Sequence, residues 1–175
     1  MEFADDAPVR PLEAARARRA TAEDLGRLYA DRGGVFAGVA GSICGEAAAD
    51  AVQDAFVRAL ARVGTLRSRG ALEAWVWKIV LNEARRRAHR HPALGAPPES
   101  GRESGDGDPR ALAVRAAIAD LPARQREVVF LRYYADLDEA SIASALGIRR
   151  GTVAATLHRV HRRIRETIEG LGAEL

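Results

Sequence analysis

The sequence has a single cysteine and a single lysine among its 175 residues, Cys44 and Lys78. One cysteine excludes an intrachain disulfide and a zinc site built from several cysteines, so we expect Cys44 to be a small buried side chain. We also expect no apolar run long enough to cross a bilayer. The first twenty residues lack the hydrophobic centre of a signal peptide. The chain is therefore predicted to be cytoplasmic, with no direct membrane insertion.

Acidic residues are missing from particular stretches and not from the chain as a whole. The formal net charge is only +3, and the isoelectric point is near 9.6. Residues 85–91 nevertheless read RRRAHRH, and residues 149–165 contain no acid. Local runs of this kind favour binding to nucleic acid more strongly than the total charge does.

The last third of the chain has the pattern of a helix-turn-helix. Asp138 is predicted to cap a short helix that ends at Leu146, Gly147 supplies a sharp turn, and a second helix begins within residues 149–152. The apolar positions of both helices fall on one face of each. A small three-helix core with a solvated basic face would give the same pattern.

The second of these helices is predicted to carry a polar stripe that faces away from the core. A recognition helix would use such a stripe to contact base edges and phosphates. The candidate residues are Arg149, Arg150, Thr152, Thr156, Arg159 and Arg163.

Residues 47–63 form an amphipathic helical pattern, with one apolar face and one acidic, partly apolar face. Carboxylates near phosphates would be repelled, so this acidic face is predicted to meet protein and not nucleic acid. The alternative is an ordinary solvated helix surface.

A further helix is predicted over residues 71–91, after the amphipathic helix of residues 47–63. It carries aromatic, amide and basic side chains along one face. Flat rings, cations and amides suit unstacked bases and the nucleic-acid backbone. Because large aromatics more often pack inside helical domains, we expect at least one of Trp75 and Trp77 to be mostly core.

Before these helices, residues 1–20 form a charged leader to which we assign no function. Thr21 and Asp24 can start a helix, which Gly33 and Gly34 are predicted to interrupt. Residues 92–110 are rich in Pro, Gly, Ser and acids and are predicted to be a flexible linker. The two flanking parts could therefore occupy separate sites on one DNA.

Three sequence blocks occur in a fixed order: DAVQDAFVRAL, then ALEAWVWKIVLNEARRRAHR, then, after the linker, LPARQREVVFLRYYADLDEASIASALGIRRGTVAATLHRVHRRI. Together they resemble the extracytoplasmic-function group of bacterial RNA polymerase sigma factors, over roughly residues 22–169. The resemblance implies an all-α fold of two small helical domains. Residues 21–91 would be a sigma region 2-like bundle, and residues 111–175 a sigma region 4-like helix-turn-helix.

The resemblance also implies a role for each surface. The segment that docks on core RNA polymerase matches Asp50, Gln53, Asp54, Phe56, Val57 and Arg58, with Phe56 as the expected buried anchor. The family's segments that open the promoter and contact the minus-ten element match Arg67, Arg69, Trp75, Lys78, Asn82, Arg85, Arg86 and Arg90. The family's recognition helix, which contacts the minus-thirty-five element, matches residues 149, 150, 152, 156, 159 and 163.

Such a protein binds core polymerase and promoter DNA, needs no cofactor, metal or small-molecule substrate, and is no enzyme. Many relatives are held inactive by an anti-sigma factor, so the resemblance makes such a partner an expectation. Arg149 stands where the family usually has a capping Ser, and Ala154, Ala155 and Thr156 replace polar or basic residues. Two alternatives stay open: a stand-alone helix-turn-helix regulator, and a partner-binding protein that has lost promoter activity.

Overall fold

The computed structural model describes residues 18–90 and 109–173, which are helical and contain no strand within those ranges. The all-α prediction is therefore confirmed. Residues 1–17 of the predicted leader and residues 92–108 of the predicted linker lie outside the described residues. The last two residues of the predicted linker, Pro109 and Arg110, are helical, so the linker was predicted to end two residues too late. The helices are α1 (Ala22–Cys44), α2 (Ala48–Leu60), α3 (Leu72–Arg90), α4 (Pro109–Ala119), α5 (Ala123–Val129), α6 (Glu139–Leu146) and α7 (Arg150–Ala173). A π-helical turn, Phe130–Tyr134, continues α5.

The predicted helix starts and the sharp turn are confirmed. At the start of α1, the Asp24 amide donates to the Thr21 hydroxyl at 3.2 Å, and the Thr21 amide donates to the Asp24 carboxylate at 3.1 Å. The Asp138 carboxylate accepts from the Ser141 amide at 2.7 Å and caps α6. Gly147 then adopts φ 66°, a left-handed conformation that glycine reaches without a side-chain clash.

Helix α1 runs through Gly33 and Gly34 without a break, so the predicted interruption was wrong. Each glycine weakens a helix by about 1 kcal/mol. Phe36 and Val39 lie one turn further on and are fully buried. Burying such side chains contributes about 1.5–3 kcal/mol each, which outweighs the two glycines.

We expected no segment able to cross a bilayer. That expectation was wrong, because one segment is long and apolar enough by length and composition alone. Residues 22–60 include a window with mean hydropathy 1.3, which is long and apolar enough to span. Half of that window is buried inside the folded chain. The segment is also divided into α1 and α2 by a short turn at Gly45–Ala47. The buried half of the window packs in the hydrophobic core of the folded chain.

An aromatic cluster forms the centre of the part before the linker, which we call the first half (residues 18–90). The Phe36 and Trp77 ring centroids lie 4.2 Å apart, and both side chains are fully buried. Trp75 is only partly buried, so the expectation that at least one tryptophan is mostly core is confirmed. Cys44 is also fully buried, as predicted.

The second half (residues 109–173) packs directly against the first. Helix α3 lies against α6, and α1 contacts α5 and the π-helical turn. One hydrophobic cluster includes Val80 of α3 together with Leu131 and Ile142 of the second half. The two predicted domains therefore share a core in this structure.

Candidate protein and nucleic-acid interfaces

An apolar groove of ≈ 400 Å³ lies between α1 and α2. Its lining includes three large apolar side chains that face solvent: Val57 is 63% exposed, Leu60 56% and Tyr29 50%. Other members of the predicted polymerase-binding set are exposed along α2 beside it: Asp50, Gln53, Asp54 and Arg58. An apolar patch with a polar rim is typical of a protein-binding site.

Phe56 connects this groove to the core. Its ring lies edge-on to Tyr29 at 4.8 Å and to Phe36 at 5.3 Å, measured between centroids. The side chain is half-buried, with one side in the core and one side lining the groove. Such edge-to-face contacts restrict the ring, so the groove has a preformed floor.

Two ion pairs join α2 to α3. In one the acid lies on α2, and in the other the acid lies on α3. Arg87 pairs with the Asp54 carboxylate and donates to the Asp50 carbonyl oxygen at 3.1 Å. Arg58 pairs with Glu83 at 3.0 Å, and Glu83 is only 3% exposed. Sequence reasoning missed Glu83 and Arg87, although Glu83 follows the buried Val80 by three residues and so falls on the inward face of α3.

The residues predicted to bind the minus-ten element fall into two groups. Five are exposed, namely Arg67, Lys78, Asn82, Arg86 and Arg90, whereas Trp75, Arg69 and Arg85 are partly buried. Arg69 pairs with Asp24 at 3.0 Å. Burial would raise the pKa of Asp24, but the Thr21 hydrogen bonds and the Arg69 and Arg18 cations outweigh burial and lower that pKa. Arg69 thus has a structural role in the loop before α3.

Arg85 is held by a carboxylate of the second half. Its Nε and Nη2 atoms donate to the two oxygens of Glu127 at 2.8 Å and 2.7 Å. Arg124 donates to the same carboxylate at 3.0 Å, and Glu127 is 4% exposed. The contact joins residues 42 positions apart. The periodicity of apolar residues could not predict that Arg85 and Glu127 form a pair. The sequence does, however, place the acid Glu127 directly beside Val128, which is buried.

Most of the predicted recognition stripe on α7 faces solvent. Arg149, Arg150, Thr152, Arg159 and Arg163 are exposed. Thr156 is 8% exposed, and its hydroxyl donates to the Thr152 carbonyl oxygen at 2.8 Å. Its placement on the outward stripe is therefore corrected. Thr156 lies three residues after the buried Val153 and four before the buried Val160, which puts it on the inward face.

Comparison with known proteins gives two family matches in the order of the two halves. Residues 32–91 match Sigma-70 region 2, and residues 111–164 match Sigma-70, region 4. The chain is 31% identical over 157 residues to the ECF RNA polymerase sigma factor SigL of Mycobacterium tuberculosis, covering 83% of this chain and 89% of SigL. It is 31% identical over 126 residues to RNA polymerase sigma-E factor of Streptomyces coelicolor, covering 69% and 71% of the two chains.

The fold is similar to CnrH in the solved structure of CnrH in complex with the cytosolic domain of CnrY. The TM-score is 0.61 at 23% identity, and the match covers 83% of this chain and 88% of that one. Helical region 2 and region 4 units in this order define a sigma factor of the sigma-70 class. Within that class, the chain belongs to the ECF RNA polymerase sigma factors. It is an alternative sigma factor that binds core RNA polymerase and directs it to promoters.

Proposed function

We propose that the groove between α1 and α2 is the surface that docks on core RNA polymerase. The observation that supports it most directly is the solvent exposure of Val57, Leu60 and Tyr29 around the anchored ring of Phe56. Exposed Asp50 and Asp54 would supply the charged rim. Apolar burial would provide affinity, and the carboxylates would fix orientation and repel DNA phosphates.

We further propose that the exposed basic face of α3 contacts the minus-ten element and that α7 contacts the minus-thirty-five element. On α3, Lys78, Arg86 and Arg90 would hold phosphates while Asn82 reads an exposed base edge. Exposed Arg150 and Arg159 of α7, together with Arg149 just before it, would contact phosphates and base edges in the major groove.

In this proposal the protein acts in the cytoplasm, where polymerase and chromosome are. It assists strand opening by trapping unstacked bases and performs no covalent chemistry of its own. An inhibitory partner protein, expected from the family resemblance, would act by covering one of the surfaces described above.

The polymerase-binding surface is tested by Val57→Arg. Because Val57 is already exposed, an arginine there should leave the free energy of unfolding nearly unchanged. In the docked complex the same charge would lose its water, so affinity for purified core polymerase should fall by at least about tenfold. Biolayer interferometry with the full chain immobilised measures this directly.

Ala116→Arg is the matched control, since it adds the same charge at an exposed position of α4 in the second half. It should change the affinity for core polymerase by less than about twofold. Equal losses for the two variants, or no loss for Val57→Arg, would refute the proposed docking groove.

A further inference from the structure

We infer that the cleft between α3 and α5 binds a small organic phosphate, a molecule that carries one phosphate group on a flat or apolar body. The cleft has a volume of ≈ 480 Å³ and is lined by residues of both halves. Sites for small molecules in proteins usually measure about 300–1,000 Å³. The inference goes beyond the proposed function, since the site needs neither polymerase nor promoter.

The lining of the cleft carries an excess of positive charge. Three arginines line it together with a single glutamate, which leaves two positive charges unbalanced: Arg85, Arg124 and Arg126 against Glu127. Glu127 is 4% exposed and already pairs with Arg85 and Arg124. Arg126 has no carboxylate partner among the residues that the structure describes. A phosphate group on an organic molecule carries a charge of about −1.5 to −2 near pH 7, which matches the excess.

Arg126 keeps the edge of its guanidinium group that binds oxyanions best. Its Nη1 atom donates to the Ala119 carbonyl oxygen at 2.9 Å, and its Nε and Nη2 atoms donate to no other described residue. Arg85 uses the same Nε–Nη2 edge to hold both oxygens of Glu127, at 2.8 Å and 2.7 Å. That edge is the fork that arginine presents to a phosphate. A ligand phosphate could therefore take at Arg126 the place that a carboxylate takes at Arg85.

Arg124 supplies a second cation beside this fork. Its Nη1 atom donates to Glu127 at 3.0 Å, and its Nη2 atom donates to the Leu146 carbonyl oxygen at 3.2 Å. These two contacts fix the direction of the guanidinium group, although half of the side chain is exposed. A cation that is already oriented loses less freedom when a ligand binds.

Another part of the lining is apolar. It is formed by Ile43, Ala88 and Ala123. Ile43 and Ala88 are partly buried and pack against the main hydrophobic cluster. Inorganic phosphate has no group that would cover these side chains. A ligand that fills the cleft must therefore join a flat or apolar body to its phosphate.

The size of the cleft favours a small molecule over a DNA strand. Sites for single-stranded DNA extend over about 4–16 nucleotides in a typical binding fold. This cleft has the volume of a site for one drug-sized molecule. Because Ile43 and Ala88 belong to the first half and Ala123 to the second, the bound molecule would contact both halves of the chain.

The site is tested by isothermal titration calorimetry of the full chain with AMP at low salt. AMP joins one phosphate to a flat base and should bind at one site with a Kd of about 0.1 mM or lower. Ribose 5-phosphate and inorganic phosphate lack the base and should bind at least about tenfold more weakly. A Kd for AMP above about 1 mM would overturn the site. Equal affinities for AMP and ribose 5-phosphate would overturn the role of the apolar lining.

Arg126→Gln tests the proposed fork. The variant should lower the affinity for AMP at least about fivefold, because it removes the paired donors and their charge. Arg165→Gln is the control, since it removes an exposed arginine of α7 outside the cleft. It should change the affinity less than about twofold. Equal losses would show that AMP responds to the general positive charge of the chain, which would overturn the site.

A second pair of variants leaves every arginine in place. Ala123 is exposed and lies in the first turn of α5, where a carboxylate does not weaken a helix. Ala123→Glu and Ala123→Gln should therefore both fold, with equal helix content by circular dichroism. The two side chains have the same size, so only charge separates them. The Glu variant should bind AMP at least about fivefold more weakly than the Gln variant. Equal binding by the two variants would overturn phosphate binding in the cleft.

Amide chemical shifts locate the bound molecule. AMP should shift the amide signals of Ile43 and Ala88 in the first half and of Ala123 in the second, all with the same Kd. Shifts confined to α7 would place AMP on another basic surface and overturn the assignment to the cleft.

Discussion

The two arginine-rich surfaces of this sigma factor differ in what lies behind the arginines. On the first half, Arg69, Arg85 and Arg86 each pair with a carboxylate that is at most 4% exposed: Asp24, Glu127 and Glu83 respectively. On the second half, Arg150 and Arg163 pair with more exposed acids, Glu139 and Asp120. The arginines of the first half are therefore held in place by buried acids, whereas those of α7 pair with acids that are open to solvent.

Arginine content alone therefore does not measure how well a surface binds DNA. Buried carboxylates fix the direction of a guanidinium and neutralise part of its field, whereas solvent screens an exposed pair. We therefore expect α7 to bind duplex DNA through general electrostatics as soon as the chain is folded. We expect α3 to bind more weakly than its number of arginines suggests, because Arg85 and Arg86 are paired with buried acids.

The largest expected effect concerns the aromatic core that supports α3. Trp77→Ala removes a fully buried indole beside Phe36 and should lower the free energy of unfolding by about 3–5 kcal/mol. Trp75→Ala, on the same helix but only partly buried, should cost less than half as much. Urea denaturation followed by circular dichroism compares them, and equal losses would show that α3 is not anchored through Trp77.

A smaller effect is expected when the buried acid behind Arg69 is changed. Asp24→Asn keeps the shape of the side chain but removes the charge that pairs with Arg69 and Arg18, and should cost about 2 kcal/mol at pH 7. Because the folded pKa of Asp24 is lowered, its stabilisation is present above the ordinary aspartate pKa. It is lost as the pH falls through the folded value.

The stability difference between the native sequence and Asp24→Asn should accordingly shrink when unfolding is measured below about pH 4. A difference that stayed constant from pH 7 down to pH 3 would contradict the assignment of Asp24 as an ionised partner of these arginines.

The second half should respond more weakly to loss of its exposed cap. Asp138→Ala removes the acceptor for the Ser141 amide at the start of α6 and should cost about 1 kcal/mol. Asp31→Ala, an exposed change inside α1, serves as control and should cost nothing, since alanine favours the helix. Thermal unfolding of both variants tests whether the cap stabilises the helix-turn-helix.

The smallest expected effect separates two neighbouring residues of α7. Arg159→Ala should weaken binding to a mixed-sequence duplex about threefold and make the slope of log affinity against log salt shallower by about 1. Thr156→Val should leave that slope unchanged, because Thr156 is buried and its hydroxyl is bonded to the Thr152 carbonyl. A change of slope with Thr156→Val would return that residue to the DNA-facing stripe.

Local signals in the sequence were sufficient for much of the fold. The cap at Thr21, the cap at Asp138 and the turn at Gly147 depend on contacts within four residues, and all were predicted. The passage of α1 through Gly33 and Gly34 was missed because burial of Phe36 and Val39, which depends on the rest of the molecule, outweighs local propensity.

The candidate surfaces were predictable as stripes but not as sets of available side chains. Periodicity placed Val57 and Arg159 correctly on exposed faces. It could not show that Arg85 meets Glu127 from the other half, because pairing across 42 residues depends on how the helices pack. Thr156 was missed for a simpler reason: it lies at the edge of the apolar stripe, where a small shift in the boundary turns it inward.

Run-off transcription with purified core RNA polymerase, this chain and genomic promoter fragments tests whether the chain acts as a sigma factor that docks through the groove between α1 and α2. Discrete transcripts should require the chain, disappear with Val57→Arg and persist with Ala116→Arg. Absence of any chain-dependent transcript, together with tight sequence-specific binding of the isolated chain to duplex DNA, would contradict it.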